Sequence, residues 1–114
     1  MDASAALTEL VGLSTQVVEA VIAGPAGTVE AAHTGSDARA RALAATAAKL
    51  LSEAGELRAG AAVERVQVDL PRGSVVVVRD DERTIVATTV AEPVGGLVAY
   101  DLRAALRRAR GDAA

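Results

Sequence analysis

The chain has no cysteine, phenylalanine, tryptophan or asparagine. The missing thiol excludes disulfides, zinc-thiolate sites, iron–sulfur clusters and cysteine nucleophiles. Tyr100 is the only aromatic residue, so base-stacking platforms for single-stranded nucleic acid and an aromatic-lined ligand pocket are both excluded. Without asparagine there is no N-glycosylation site. The longest uncharged stretches, such as 20–29, run to about ten residues, far below the ~20 that span a bilayer. Met1-Asp2-Ala3-Ser4 carries no positive n-region, so a cytoplasmic protein without membrane insertion is expected. A net charge of −3 gives no global attraction to nucleic acid.

What is present suits one folded domain over 1–114. The length of 114 residues and a hydrophobic fraction of 51% suffice for a single core and are incompatible with wholesale disorder. Periodicity gives the elements in order. Leu7, Leu10 and Val11 recur at helical spacing in a first helix over 4–14, with Ser4 or Asp2 as N-cap. A β-branched strand over 16–23, the turn Gly24-Pro25-Ala26-Gly27 and a weaker strand over 28–33 form a hairpin. Thr34-Gly35-Ser36 breaks the pattern, and a long helix over Asp37–Leu57 follows. Ala40, Leu43, Ala44, Ala47, Leu50, Leu51 and Ala54 form its apolar face. After a loop at Ala59-Gly60 come three strands, over 63–70, 74–78 and 84–90, with a charged turn over 79–83 between the last two. A final helix over 97–110 buries Val98, Leu102, Ala105, Leu106 and Ala109.

This α-β-β-α-β-β-β-α order predicts an α/β (α+β) sandwich. The first, fourth and fifth strands are apolar on both faces: Val18/Ala20/Ile22 against Val17/Val21/Ala23, Val75/Val77 against Val76/Val78, and Val86 against Ile85/Ala87. Such strands belong inside a sheet covered on both sides. The third strand alternates, with Val66, Val68 and Leu70 on one side and Arg65, Gln67 and Asp69 on the other. The second is short and mixed. These two are the edges. Joining the hairpins through their buried strands gives a five-stranded, mainly antiparallel sheet of order 2-1-5-4-3, with the long helix on one face and the terminal helices on the other.

The apolar hairpin over 17–32 with Gly27 at its turn, the Ala/Leu helix over 38–57, the strands Val66-Gln67-Val68 and 75–78, and the junction Gly96-Leu97-Val98 together resemble the Roadblock/LC7 family. The likeness runs from about Leu7 to Arg110 and implies its profilin-like fold. Two features depart from the family pattern: Ala26-Gly27 stands where Asp-Gly is usual, and Pro93-Val94-Gly95 where an asparagine often precedes the Gly-Leu junction. The resemblance implies binding rather than chemistry. Family members form dimers that dock on Ras-like GTPases or motor complexes, and some bacterial members stimulate GTP hydrolysis by a partner. Actinobacterial ones are often encoded beside a sensor kinase and a small GTPase. Third strands typically pair across the dyad, with the long helices side by side.

The residues themselves favour such a dimer. The third strand has no internal Pro or Lys to block pairing. About a dyad at Gln67, Arg65 of one copy faces Asp69 of the other, a self-complementary arrangement. Such pairs contribute roughly 0.2–1 kcal/mol each, so they select register more than they supply affinity. The expected interface is therefore Arg65, Val66, Gln67, Val68 and Asp69. The alanine-rich long helix leaves room for a neighbouring helix, which makes Arg39, Ala44, Ala47, Lys49 and Leu51 a possible second surface.

No catalytic, cofactor or metal site is expected. His33 is the only histidine, and no Gly-x-Ser-x-Gly elbow exposes a serine to it; it reads as a strand-end residue. Asp80-Asp81-Glu82 lacks the spaced ligands and Gly-centred bend of a calcium loop and reads as a solvated turn. Gly55-Glu56-Leu57-Arg58-Ala59-Gly60 imitates a Walker A start, but Ala61-Ala62 replace the Lys and Ser/Thr; any GTP would sit on a partner. Arg103, Arg107 and Arg110 form a helix stripe that complements the dipole. The leading expectation is a non-enzymatic dimeric adaptor for a small Ras-like GTPase. A structural homo-oligomer without such a partner is the second reading, and an enzyme or ligand sensor on the same scaffold the third.

Overall fold

The computed structural model describes residues 1–59, 63–81 and 83–111. Its elements are α1 (Ala3–Leu13), β1 (Val17–Ala23), β2 (Val29–His33), α2 (Asp37–Leu57), β3 (Arg65–Leu70), β4 (Gly73–Asp80), β5 (Arg83–Thr89) and α3 (Gly95–Gly111). Side-chain caps set the helix starts. Asp2 Oδ1 accepts the Ala5 N–H at 2.7 Å, so Asp2 rather than Ser4 caps α1. Ser36 Oγ accepts the Arg39 N–H at 3.1 Å, and Asp37 sits in the first turn of α2, where the dipole favours an anion. At the other end α1 stops at Ser14, whose N–H still bonds the Leu10 carbonyl while its own backbone is extended.

The five strands are antiparallel neighbours in the order β2-β1-β5-β4-β3. Two cores result, one on each face. On one side α1 and α3 bury Leu7, Leu10, Leu102 and Leu106 against Ala20, Ile22, Val76, Val78 and Ile85. On the other, α2 buries Ala40, Leu43, Ala44, Ala47 and Leu51 against Val21, Ala23, Val77 and Val86. The consecutive valines of β4 thus feed both cores in alternation. All five expected α3 core positions are buried.

β1 departs from strict alternation. Its pairing with β5 shifts between Val17 and Glu19, so Val18 is the extra residue of a bulge. The bulge turns Val17 onto the α1/α3 face with Ala20 and Ile22, not onto the Val21/Ala23 face that alternation predicts. Val18, expected inside, is 51% exposed. The charged turn over 79–83 is also shorter than expected: Arg79 and Asp80 extend β4 and Arg83 opens β5. Asp81 has φ +55°, the left-handed backbone of a tight hairpin, which Asp tolerates better than most residues. Glu82, and Gly60, Ala61 and Ala62 of the Walker-like stretch and its loop, lie outside the described residues. At Gly73 (φ +157°) a Cβ would overlap the Thr89 carbonyl, so the start of β4 requires glycine.

Candidate functional site

The sheet ends at β2 and at β3, and the register shows what each edge offers. The Arg79 N–H bonds the Glu64 carbonyl at 2.8 Å, which makes Glu64 and Arg79 a hydrogen-bonded pair. Opposed residues in an antiparallel ladder alternate between bonded and non-bonded. Val66, Val68 and Leu70 therefore bond β4. Arg65, Gln67 and Asp69 turn their N–H and C=O groups to the open side.

The same three residues form a side-chain row on the face away from α2. Arg65 Nη2 donates to Gln67 Oε1 at 3.3 Å. Gln67 Nε2 donates to Asp69 Oδ1 at 2.8 Å, and Ser74 Oγ donates to that oxygen at 2.6 Å. These bonds, the Gln67 amide first and the Ser74 hydroxyl second, hold the Asp69 carboxyl below its ordinary value of 3.8. The α3 start closes on the row: a Cβ at Gly95 would overlap the Gln67 amide oxygen. On the opposite face Val66 packs against the α2 core. Ser74 and Gly95 are thus part of the edge, although nothing local in the sequence points to them.

The α2 residues divide. Lys49 is exposed. Arg39 is held by Glu19, with Nε to Oε2 at 3.0 Å and Nη2 to Oε1 at 2.9 Å. Thr88 donates to the same carboxylate at 2.9 Å. Arg39, ahead of burial and Thr88, makes the net shift of the Glu19 carboxyl downward. Ala44, Ala47 and Leu51 are buried beneath α2, a correction to their place on a partner surface. Three residues of one apolar stripe face the sheet together, and Ala45, Ala48, Lys49 and Ser52 form the outer face instead.

The other singled-out groups are surface features. His33 is exposed at the end of β2. Asp80 and Asp81 pair with Arg110, and Arg83 pairs with Glu30 at 2.7 Å. Arg108 pairs with Glu9 at 3.1 Å. Among the described residues there is no cluster of His, Asp and Glu able to hold a metal ion, and no helix long and apolar enough to cross a membrane.

A sheet of this order, with one long helix on one face and two terminal helices on the other, is the Roadblock/LC7 fold. No family model and no curated protein matches the chain, but solved structures do. A Roadblock/LC7 domain from Streptomyces avermitilis superposes with a TM-score of 0.84 at 21% identity, covering 97% of each chain. A second from the same organism gives 0.73 at 26% identity, covering 91% of this chain and 94% of its own. Myxococcus xanthus MglB gives 0.70 at 12% identity, covering 90% and 87%.

Proposed function

We propose that the protein is a cytoplasmic, non-enzymatic homodimeric adaptor that binds a small Ras-like GTPase, in a sensor-kinase system or elsewhere, and modulates its nucleotide cycle. The observation that carries this reading is the Roadblock/LC7 fold combined with an open β3 edge. The two copies pair through β3 about a dyad at Gln67. This joins Gln67 to Gln67 and Arg65 to Asp69 through outward backbone groups, and sets the two charged side chains opposite each other. The GTPase carries the nucleotide and its phosphate chemistry, and the adaptor needs no cofactor of its own.

The fold by itself does not assign the activity. The test is affinity capture with the protein as bait from a lysate of its source cell, run with GDP and with a non-hydrolysable GTP analogue, and read by mass spectrometry. Enrichment of a Ras-like GTPase in one nucleotide state is the expected result. Self-association alone in both states would replace this reading with a structural homo-oligomer that has no GTPase partner.

A further inference from the structure

The α2 face of the sheet carries an arginine without a partner. Ala23 of β1, Thr84 of β5 and Arg79 of β4 are Cα partners in one row across three strands. Ala23 belongs to the α2 core, Thr84 stands two residues before Val86 and Arg79 two residues after Val77, so the row faces α2. It lines a cleft of about 440 Å³ between the end of the sheet, the β1–β2 turn and the flank of α2. Ala44, Ala48, Leu51 and Ser52 form the helix wall, stacked along it by helical spacing. The two alanines leave space that longer side chains would fill. Arg39, Arg83, Arg108 and Arg110 each hold a carboxylate. Arg79 is half-buried, yet among the described residues its guanidinium has neither a hydrogen bond nor an ion pair. Glu64, its neighbour just before β3, is exposed and does not pair with it. The hydroxyls of Ser52 and Thr84 have no hydrogen-bond partner among those residues either.

We propose that this cleft binds a small carboxylic acid with an apolar body, its carboxylate on Arg79. A guanidinium is a rigid planar fork that matches a carboxylate through two parallel hydrogen bonds. Partial removal from water strengthens such a pair. Thr84, beside Arg79 on the ladder, and Ser52, on the helix wall, each bring a hydroxyl donor to the same cleft. A single cation suits a monoanion. Asp81 also lines the cleft, although Arg110 holds it, and its charge with that of Glu64 disfavours a phosphate dianion. The walls from Ala23, Pro25, Ala44 and Leu51 are aliphatic, so the body that fits is a short alkyl chain. The volume falls within the ~300–1,000 Å³ of small-ligand sites, which combine apolar walls with a few placed polar groups. The site needs neither a second copy of the chain nor a GTPase.

The test is titration of the isotope-labelled chain with hexanoate, hexanamide and inorganic phosphate, followed by amide chemical shifts. Hexanoate is expected to move the amides of Gly24, Ser52, Arg79 and Thr84 saturably. Hexanamide, the same body without the charge, should bind about 10-fold more weakly or worse. Arg79→Gln should lower hexanoate affinity by about 10-fold or more and erase the preference over hexanamide. The Arg79 side chain holds nothing in the fold, so this variant is expected to fold, and circular dichroism checks it. Ala48→Leu keeps the cation and fills the cleft from an exposed helix position, where leucine is a good helix former. It should lose hexanoate binding, which separates a cleft from a bare surface charge. Hexanoate shifts that survive in both variants, or that gather at exposed arginines such as Arg72 and Arg107, overturn the site. The absence of any saturable shift with hexanoate overturns it as well. Phosphate moving the same amides as tightly as hexanoate overturns the choice of a carboxylate.

Discussion

β2 and β3 both end the same sheet, yet they present different edges. Carrying the ladder alternation from β3 across β4, β5 and β1 leaves Ala31 and His33 bonded to β1, with Ala32 turned outward. The β1–β2 register shifts around Glu30, and a bulge next to a short strand is a common way to stop further pairing. β3 keeps its register over all six residues and turns three consecutive outward sites to the open side. Its polar row is bonded within the strand and to Ser74. One edge is blunted, and the other is regular and open.

The largest expected effect separates the two edges by proline. Gln67→Pro deletes an outward N–H without touching the β3–β4 ladder, a place where an edge strand tolerates proline. It should convert a dimer to a monomer by light scattering, with the chain still folded by circular dichroism and its thermal midpoint lowered by loss of the partner. Ala32→Pro, the equivalent change at the other edge, should leave the mass as it was. Loss of the dimer from both variants, or from neither, would remove the distinction.

Charge reversal is next in size. Arg65→Asp or Asp69→Arg should each weaken the dimer by about 10-fold, because two cross-strand pairs become repulsive. The double variant should recover most of that. Acid gives a smaller effect. The Asp69 carboxyl is depressed in the folded chain, so its contribution is complete above the ordinary carboxylate range near pH 4. It is lost as pH falls through the lowered value. Urea unfolding at pH 7 and in acid should show a loss of fold stability that is reduced in Asp69→Asn. At the far end of the scale, Glu19→Gln should leave the dimer untouched. It should cost the fold about 1 kcal/mol in urea unfolding, the worth of one charge-assisted contact with Arg39.

Much of this architecture is legible in the sequence because local signals agree. Ser36 and Asp37 open α2, the alanine and leucine stripe from Ala40 to Leu51 gives its buried face, and both bounds of the helix follow. The strand order follows from which strands are apolar on two faces. The bulge at Val18 is not legible, since Val17 and Val18 are equally apolar and alternation assumes no extra residue. The hairpin end at Asp80 is hidden because charged residues occur in strands as well as turns.

At the candidate site, alternation in Arg65-Val66-Gln67-Val68-Asp69 marks the polar side of β3. Which backbone groups face outward depends on the pairing with β4, a non-local fact. Ala44, Ala47 and Leu51 show the converse difficulty: their spacing identifies an apolar stripe without saying whether the sheet or a partner covers it.

The central claim is that a second copy adds to β3 and not to β2, and amide hydrogen exchange resolved by residue tests it most directly. The amides of Val66, Val68 and Leu70 should be protected at every protein concentration, because they bond β4. Those of Arg65, Gln67 and Asp69 should be protected at high concentration and become open on dilution, while Ala32 exchanges fast throughout. A dimer in which Arg65, Gln67 and Asp69 exchange fast at every concentration would contradict the account.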